Sequence, residues 1–193
     1  MAKLFRAAIL LAACLGLLLL SASRIWAQSE RMELGANYNY VRTNAPPGDC
    51  GCFSMNGGSG WFGYNFGRGL GLLGEVGSQY ASNINSTTAD LTLTSFLVGP
   101  RFAWHRGHRI APFGEVLVGG AHASGALTSG RSGSENAFAM AAGGGVDIKL
   151  GRHVALRLLQ ADYYLTRFDN GGNDHQNNLR IGEGIVVRFG RER

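Results

Sequence analysis

The chain has 193 residues, room for one domain behind a targeting segment. Hydrophobic residues make up 45% and charged residues 16%, which excludes a disordered chain. The formal charge of +5 does not argue for a polyanionic partner: residues 1–27 hold Lys3, Arg6 and Arg24 and no acid, and the rest carries 15 bases against 13 acids, which excludes a nucleic-acid-binding footprint.

Residues 1–27 read as a cleaved secretory signal. Lys3 and Arg6 precede the apolar run Ala7 to Leu20, and Ile25-Trp26-Ala27 places a small residue before the cut. The run is shorter than the ~20 residues a bilayer-spanning helix needs. A short segment, 28–32, then leads into the domain at 33–190, and no second apolar stretch of helical spanning length follows.

Alternation with a period of two dominates from there. Leu34, Ala36, Tyr38 and Tyr40 oppose Glu33, Gly35, Asn37 and Asn39; Phe62, Tyr64 and Phe66 oppose Trp61, Gly63 and Asn65. Leu72, Val76 and Tyr80 oppose Leu73, Glu75 and Gln79, and over Leu91 to Trp104, Phe96, Val98 and Phe102 oppose Ser95, Leu97 and Arg101. In Ile110 to Ala123, Glu115 opposes Gly114, Val116 and Val118. A sixth run sets Phe138, Met140, Val146 and Ile148 against Ala139, Gly143, Asp147 and Lys149. In the seventh, Val154 to Phe168, Asp162 cannot share Arg157's face without an extra residue, so a β-bulge is expected near Leu159 to Ala161. The eighth, Leu179 to Phe189, sets Ile181, Ile185, Val187 and Phe189 against Arg180, Gly182, Gly184 and Arg188.

Connections alternate in length. Residues 67–69, 105–109 and 151–153 are short turns; 42–57, 82–90, 124–136 and 169–178 are long. The expected fold is an all-β, eight-stranded antiparallel up-and-down transmembrane β-barrel. Closure is required in lipid, where an open sheet edge leaves backbone groups unpaired at several kcal/mol each. The polar face is Gly, Ala, Ser and Asn with a few charges, suited to a narrow lumen and not to a water-facing surface. Aromatic residues fall at strand ends as two girdles: Phe66, Phe102, Trp104, Phe113 and Phe189 toward the short turns, and Tyr40, Tyr80, Phe138, Tyr164 and Phe168 toward the long loops. Phe113 conflicts with the alternation around Glu115, which puts it on the polar face.

The last strand carries a polar residue and glycine followed by apolar residues at alternate positions, Glu183-Gly184-Ile185-Val186-Val187-Arg188-Phe189. This resembles the assembly signal of outer-membrane proteins, with Glu183, Gly184, Val187 and Phe189 at its key positions, although four residues follow Phe189. Over residues 33–190 the chain resembles the small outer-membrane β-barrel superfamily typified by the OmpA transmembrane domain and OmpX. The resemblance implies the bacterial outer membrane, insertion by its assembly machinery, contact with its lipid and lipopolysaccharide, periplasmic termini and extracellular long loops. No peptidoglycan-binding domain is expected beyond the barrel.

On the polar face Glu75, Glu115 and Asp147 meet Arg101, Lys149, Arg157, Arg180 and Arg188, an expected charge network that either plugs the lumen or lines a narrow ion path. Cys50 and Cys52 in the first long loop are candidates for a disulfide, within the loop or between copies, and lack the further ligands of a metal site. His122-Ala123-Ser124 resembles the His-x-Ser pair of lipid A deacylases, with Glu135 or Glu183 as the third group of a hydrolase. The turn His105 to His108 and the run Asp169 to Asp174 read as solvated segments, so no metal and no cofactor is expected. The leading function is a non-enzymatic barrel with an envelope-structural role or a surface-interaction role that meets an extracellular ligand through its loops. A membrane hydrolase and a narrow channel are the alternatives.

Overall fold

A computed structural model describes residues 31–43, 53–67, 69–82, 84, 90–104, 109–126, 132–168 and 175–189. The leader expected at 1–27, Cys50 and Cys52, the turn His105 to His108 and the run Asp169 to Asp174 lie outside the described residues.

Eight strands follow in chain order: β1 (Met32–Thr43), β2 (Phe53–Gly67), β3 (Leu70–Ala81), β4 (Asp90–Ala103), β5 (Ile110–Ala126), β6 (Ser132–Lys149), β7 (Val154–Thr166) and β8 (Gln176–Phe189). Each pairs antiparallel with its sequence neighbour, and β8 returns to β1 to close the barrel. Following the pairing from Leu34 through Phe62, Gly74, Val98, Val118, Met140 and Leu165 ends at Asn177, whereas Leu34 itself faces Val187. The ladder therefore climbs toward the long-loop end as it goes round, which is the tilt that closure requires.

Burial is inverted relative to a soluble protein. Arg157 and Arg180 are each 1% exposed on the inside, while Phe96 and Ile185 are 58% and 55% exposed on the outside. Apolar side chains outward and charged ones inward is the arrangement of a barrel bathed in hydrocarbon.

The strands extend beyond where hydrophobic alternation stops. β2 begins at Phe53 inside the connection expected at 42–57, and β5 and β6 run to Ala126 and from Ser132 into the one expected at 124–136. Ladder hydrogen bonds there need no apolar partner face. Local side-chain bonds support them: Thr43 Oγ1 donates to Phe53 O at 3.0 Å, and Tyr38 Oη to Asn56 Oδ1 at 2.8 Å.

Three aromatic residues leave the expected girdles. Phe113 is 4% exposed and points into the lumen with Glu115 and Leu117, as its alternation requires. Tyr164 is buried and Tyr163 takes the outward place, because the register shifts between Arg157 and Gln160. Leu158 and Leu159 both face outward across that bulge, so Arg157, Gln160 and Asp162 all face the lumen. Phe168 folds inward against the apolar cluster at the long-loop end.

Inner-face glycines make room for the large lumen side chains. A Cβ on Gly35 would enter the Trp61 indole, and one on Gly145 would meet the Phe113 ring. Gly74, on the outer face, has open space. Gly35→Val is therefore expected to cost about 1–3 kcal/mol by overpacking, and Gly74→Val to be near neutral. Urea unfolding in detergent micelles, followed by the mobility difference between folded and unfolded barrel, checks both.

Candidate functional site

The lumen charges are positioned by every strand of the barrel except β2. At the short-turn end Glu33 of β1 is reached by Asn65 Nδ2 at 3.2 Å, Arg188 Nε at 3.5 Å and Arg101 Nη1 at 3.6 Å. Asp147 of β6 gathers three guanidiniums: Arg157 Nε at 3.0 Å, Arg188 Nη2 at 2.9 Å and Arg101 Nη2 at 3.4 Å. Further in, Arg180 of β8 donates to Asp162 Oδ2 through Nε at 2.9 Å and through Nη1 to Glu75 of β3.

Gln160, on the lumen side of the bulge, joins these groups. Its Oε1 accepts from Arg157 Nη1 at 2.8 Å and Asn37 Nδ2 at 3.1 Å, and its Nε2 donates to Glu115 Oε1 at 2.9 Å and Asp162 Oδ2 at 2.8 Å. All four hydrogen-bonding positions of one amide are thus used.

Two rings fill the space between the charges. Arg101 lies 4.7 Å from the Trp61 ring centroid and 3.9 Å from that of Phe113, and Arg157 lies 4.6 and 4.3 Å from the same two. Each guanidinium is held between two π-faces, which replaces part of its lost hydration. Toward the long loops the lumen turns apolar, with Val41, Met55, Leu93, Ala121 and Ala139 packed together beneath Phe53, Leu91 and Phe168.

Of the network residues named from sequence, Glu75, Arg101, Glu115, Asp147, Arg157, Arg180 and Arg188 come together in the buried lumen. Lys149 does not share that burial; it is half-exposed near the short turns, because it stands at the end of β6. Glu33, Asp162, Gln160, Trp61 and Phe113 complete the cluster. Alternation already put Glu33 and Trp61 on the polar face, but nothing in the sequence signals the bonding of a neutral glutamine next to a bulge.

His122 and Ser124 face outward near the long-loop end of β5. His122 Nδ1 is bonded to Asn136 Oδ1 at 2.8 Å. Glu135 pairs with Ala123, on the opposite face from His122, and Glu183 lies on the outer face of β8 opposite Tyr38. Neither acid shares a face and a neighbouring strand with His122, so the three groups of a hydrolase are not assembled. In β8, Gly184 packs so closely on Ala36 and Asn37 of β1 that a Cβ would collide with both.

A family model described as "Outer membrane protein beta-barrel domain" matches residues 11–189. The chain belongs to this family of outer-membrane β-barrels. Among solved structures it is similar to Neisserial surface protein A, with 14% identity, a TM-score of 0.63, and coverage of 82% of this chain and 97% of that one. It is similar also to OprG of Pseudomonas aeruginosa, with 10% identity, a TM-score of 0.53 and coverage of 84% and 98%. The attachment invasion locus protein Ail of Yersinia pestis matches with 17% identity, a TM-score of 0.51 and coverage of 82% and 97%. No curated protein sequence matches the chain.

Because Asp147 is bonded to three guanidiniums, Asp147→Asn removes the shared carboxylate that holds them together. A loss of about 3–5 kcal/mol is expected, read from the urea midpoint in micelles, with no comparable loss for Lys149→Gln.

Proposed function

We propose that this protein is a non-enzymatic outer-membrane barrel whose lumen is a structural plug and whose long loops make its contacts at the cell surface. One observation carries the reading: ion pairs, two stacked rings and an apolar cap fill the lumen. A filled eight-stranded interior leaves no path for a solute, so the parts free to engage a partner are the loops. The termini then lie in the periplasm and the loops between β1 and β2, β3 and β4, β5 and β6, and β7 and β8 lie outside the cell. The outer face supports this orientation, since hydrogen-bonded polar pairs sit at three of the long-loop hairpins: Tyr40 with Ser54 at 2.7 Å, His122 with Asn136, and Tyr163 with Asn177. Such groups suit the headgroup level of lipid and lipopolysaccharide.

The Neisserial protein is called a surface protein, and Ail the attachment invasion locus protein, whose structure is also known in complex with the heparin analogue sucrose octasulfate. A surface ligand for this chain follows the same line. Delivery to the membrane by the assembly machinery would use the β8 segment Glu183 to Phe189.

Three measurements check the proposal. In planar bilayers the barrel is expected to give no discrete conductance; a steady conductance abolished by neutralising Arg101 or Glu75 would establish a channel instead. Ser124→Ala is expected to leave the acyl chains of lipid A unchanged, and altered acylation would make the protein a hydrolase. Single cysteines introduced between β5 and β6 are expected to react with a membrane-impermeant reagent on intact cells, and labelling only after lysis would invert the orientation.

A further inference from the structure

Charge is not distributed alike at the two ends of the barrel. The short connections at 67–69, 105–109 and 151–153 carry Arg68, Arg106, Arg109 and Arg152 and no acid. The long ones at 42–57, 82–90, 124–136 and 169–178 carry Arg42 and Arg131 against Asp49, Asp90, Glu135, Asp169 and Asp174. Among the described residues the short-turn rim presents Arg31, Arg109 and Arg152 exposed, Lys149 half-exposed, and no exposed carboxylate. At the long-loop end Asp90 and Glu135 are exposed together with Arg42 and Arg167.

Three of these bases share one edge. Lys149 N donates to Arg109 O at 2.8 Å, which sets the two residues side by side where β5 begins and β6 ends. Leu150 N and Gly151 N both donate to Val154 O, which holds Arg152 in a tight turn just beyond them. The carboxylate nearest in the chain, Asp147, is buried in the lumen with Arg101, Arg157 and Arg188. The outer face of this edge is apolar: Ile110 is 57% and Leu150 67% exposed, and the ring of Trp104, also exposed, lies against Gly114 of β5. A tryptophan at the border of a lipid-facing band marks the membrane interface, and bases immediately beyond it stand at the level of lipid phosphates. A polymer in the aqueous space would not need that apolar border.

We propose that Arg109, Lys149 and Arg152 form a docking edge for the headgroup of an anionic phospholipid. Their long aliphatic stems reach along the rim while the charged ends meet phosphate in the polar layer. The choice of a phospholipid over lipopolysaccharide rests on the orientation proposed above, which puts the short turns on the periplasmic side. Vesicles with the same lipids in both leaflets measure the headgroup preference whichever way the barrel inserts. Inverted labelling on cells and absent preference in vesicles are therefore separate failures.

The test uses Trp104 as the reporter, since Trp61 is buried in the lumen out of reach of lipid. The protein purified from outer membranes is reconstituted in phosphatidylcholine vesicles, and its fluorescence is quenched with brominated phosphatidylglycerol or brominated phosphatidylcholine. Each base near an anionic surface contributes about fivefold in affinity, so the glycerol lipid is expected to be preferred at Trp104 by at least one such factor. The preference should shrink as salt is added. Replacing Arg109, Lys149 and Arg152 together by glutamine should bring the two lipids to equality, whereas Arg42→Gln with Arg167→Gln, at the other end, should leave the preference intact. If the triple variant does not fold, Arg152→Gln alone, on the exposed turn, gives the reading and should lower the preference several-fold. Equal quenching of the parent by both lipids overturns the proposal, as does a preference that survives the loss of the bases. Equal quenching together with retention of the parent, but not of the variant, on insoluble peptidoglycan overturns it in favour of a cell-wall polymer.

Discussion

The pairing of β1 with β8 is the interaction on which everything else in the molecule depends. Without it two strands would present rows of N–H and C=O groups to hydrocarbon, each at a cost of several kcal/mol. With it the sheet has no edge, and it acquires an inside cut off from lipid. Only that enclosed space allows the five carboxylates and four guanidiniums buried among the described residues to sit at membrane depth. The tight packing of Gly184 against Ala36 and Asn37 shows how little room the closing seam leaves.

The plug then follows from size. Eight strands enclose a bore that side chains can fill, and the filling here is graded: charge at the short-turn end, the bulge residues in the middle, apolar side chains toward the loops. Glycines opposite Trp61 and Phe113 set the width where the rings lie. A plug of this kind binds many strands at once, so its contribution is to the barrel as a unit and not to any one hairpin.

Much of this was legible in the chain itself, because membrane strands obey a severe alternation. Strand number, the polar and apolar faces, and seven of the lumen charges could be read from a period of two. The bulge was legible too, since Arg157 and Asp162 could not otherwise share a face. Two things were not, and a third was misread. Strand ends beyond the apolar band were missed, because Ser54, Asn56 and Ser132 to Asn136 carry no hydrophobic signal while still joining the ladder. Tyr164 was placed in the outer girdle from its position near the strand end, although alternation from Asp162 already puts it on the lumen face. The role of Gln160 was invisible, because a neutral amide gains meaning only from the four groups that converge on it. Residues that carry recognition in such barrels sit in loops, where sequence pattern says least about conformation.

The doubled outward step at Leu158 and Leu159 has a consequence for how the gene can vary. Everything on the loop side of that point is in phase with the lumen only because one residue more than the regular count is present. Loss of a single codon there would turn Gln160, Asp162 and Tyr164 toward lipid together, whereas a codon lost between the hairpin strands at the loop end would shift no side chain through the wall. Length polymorphism among natural variants should accordingly be confined to the loops, with the count through the seventh strand held constant even where its residues change.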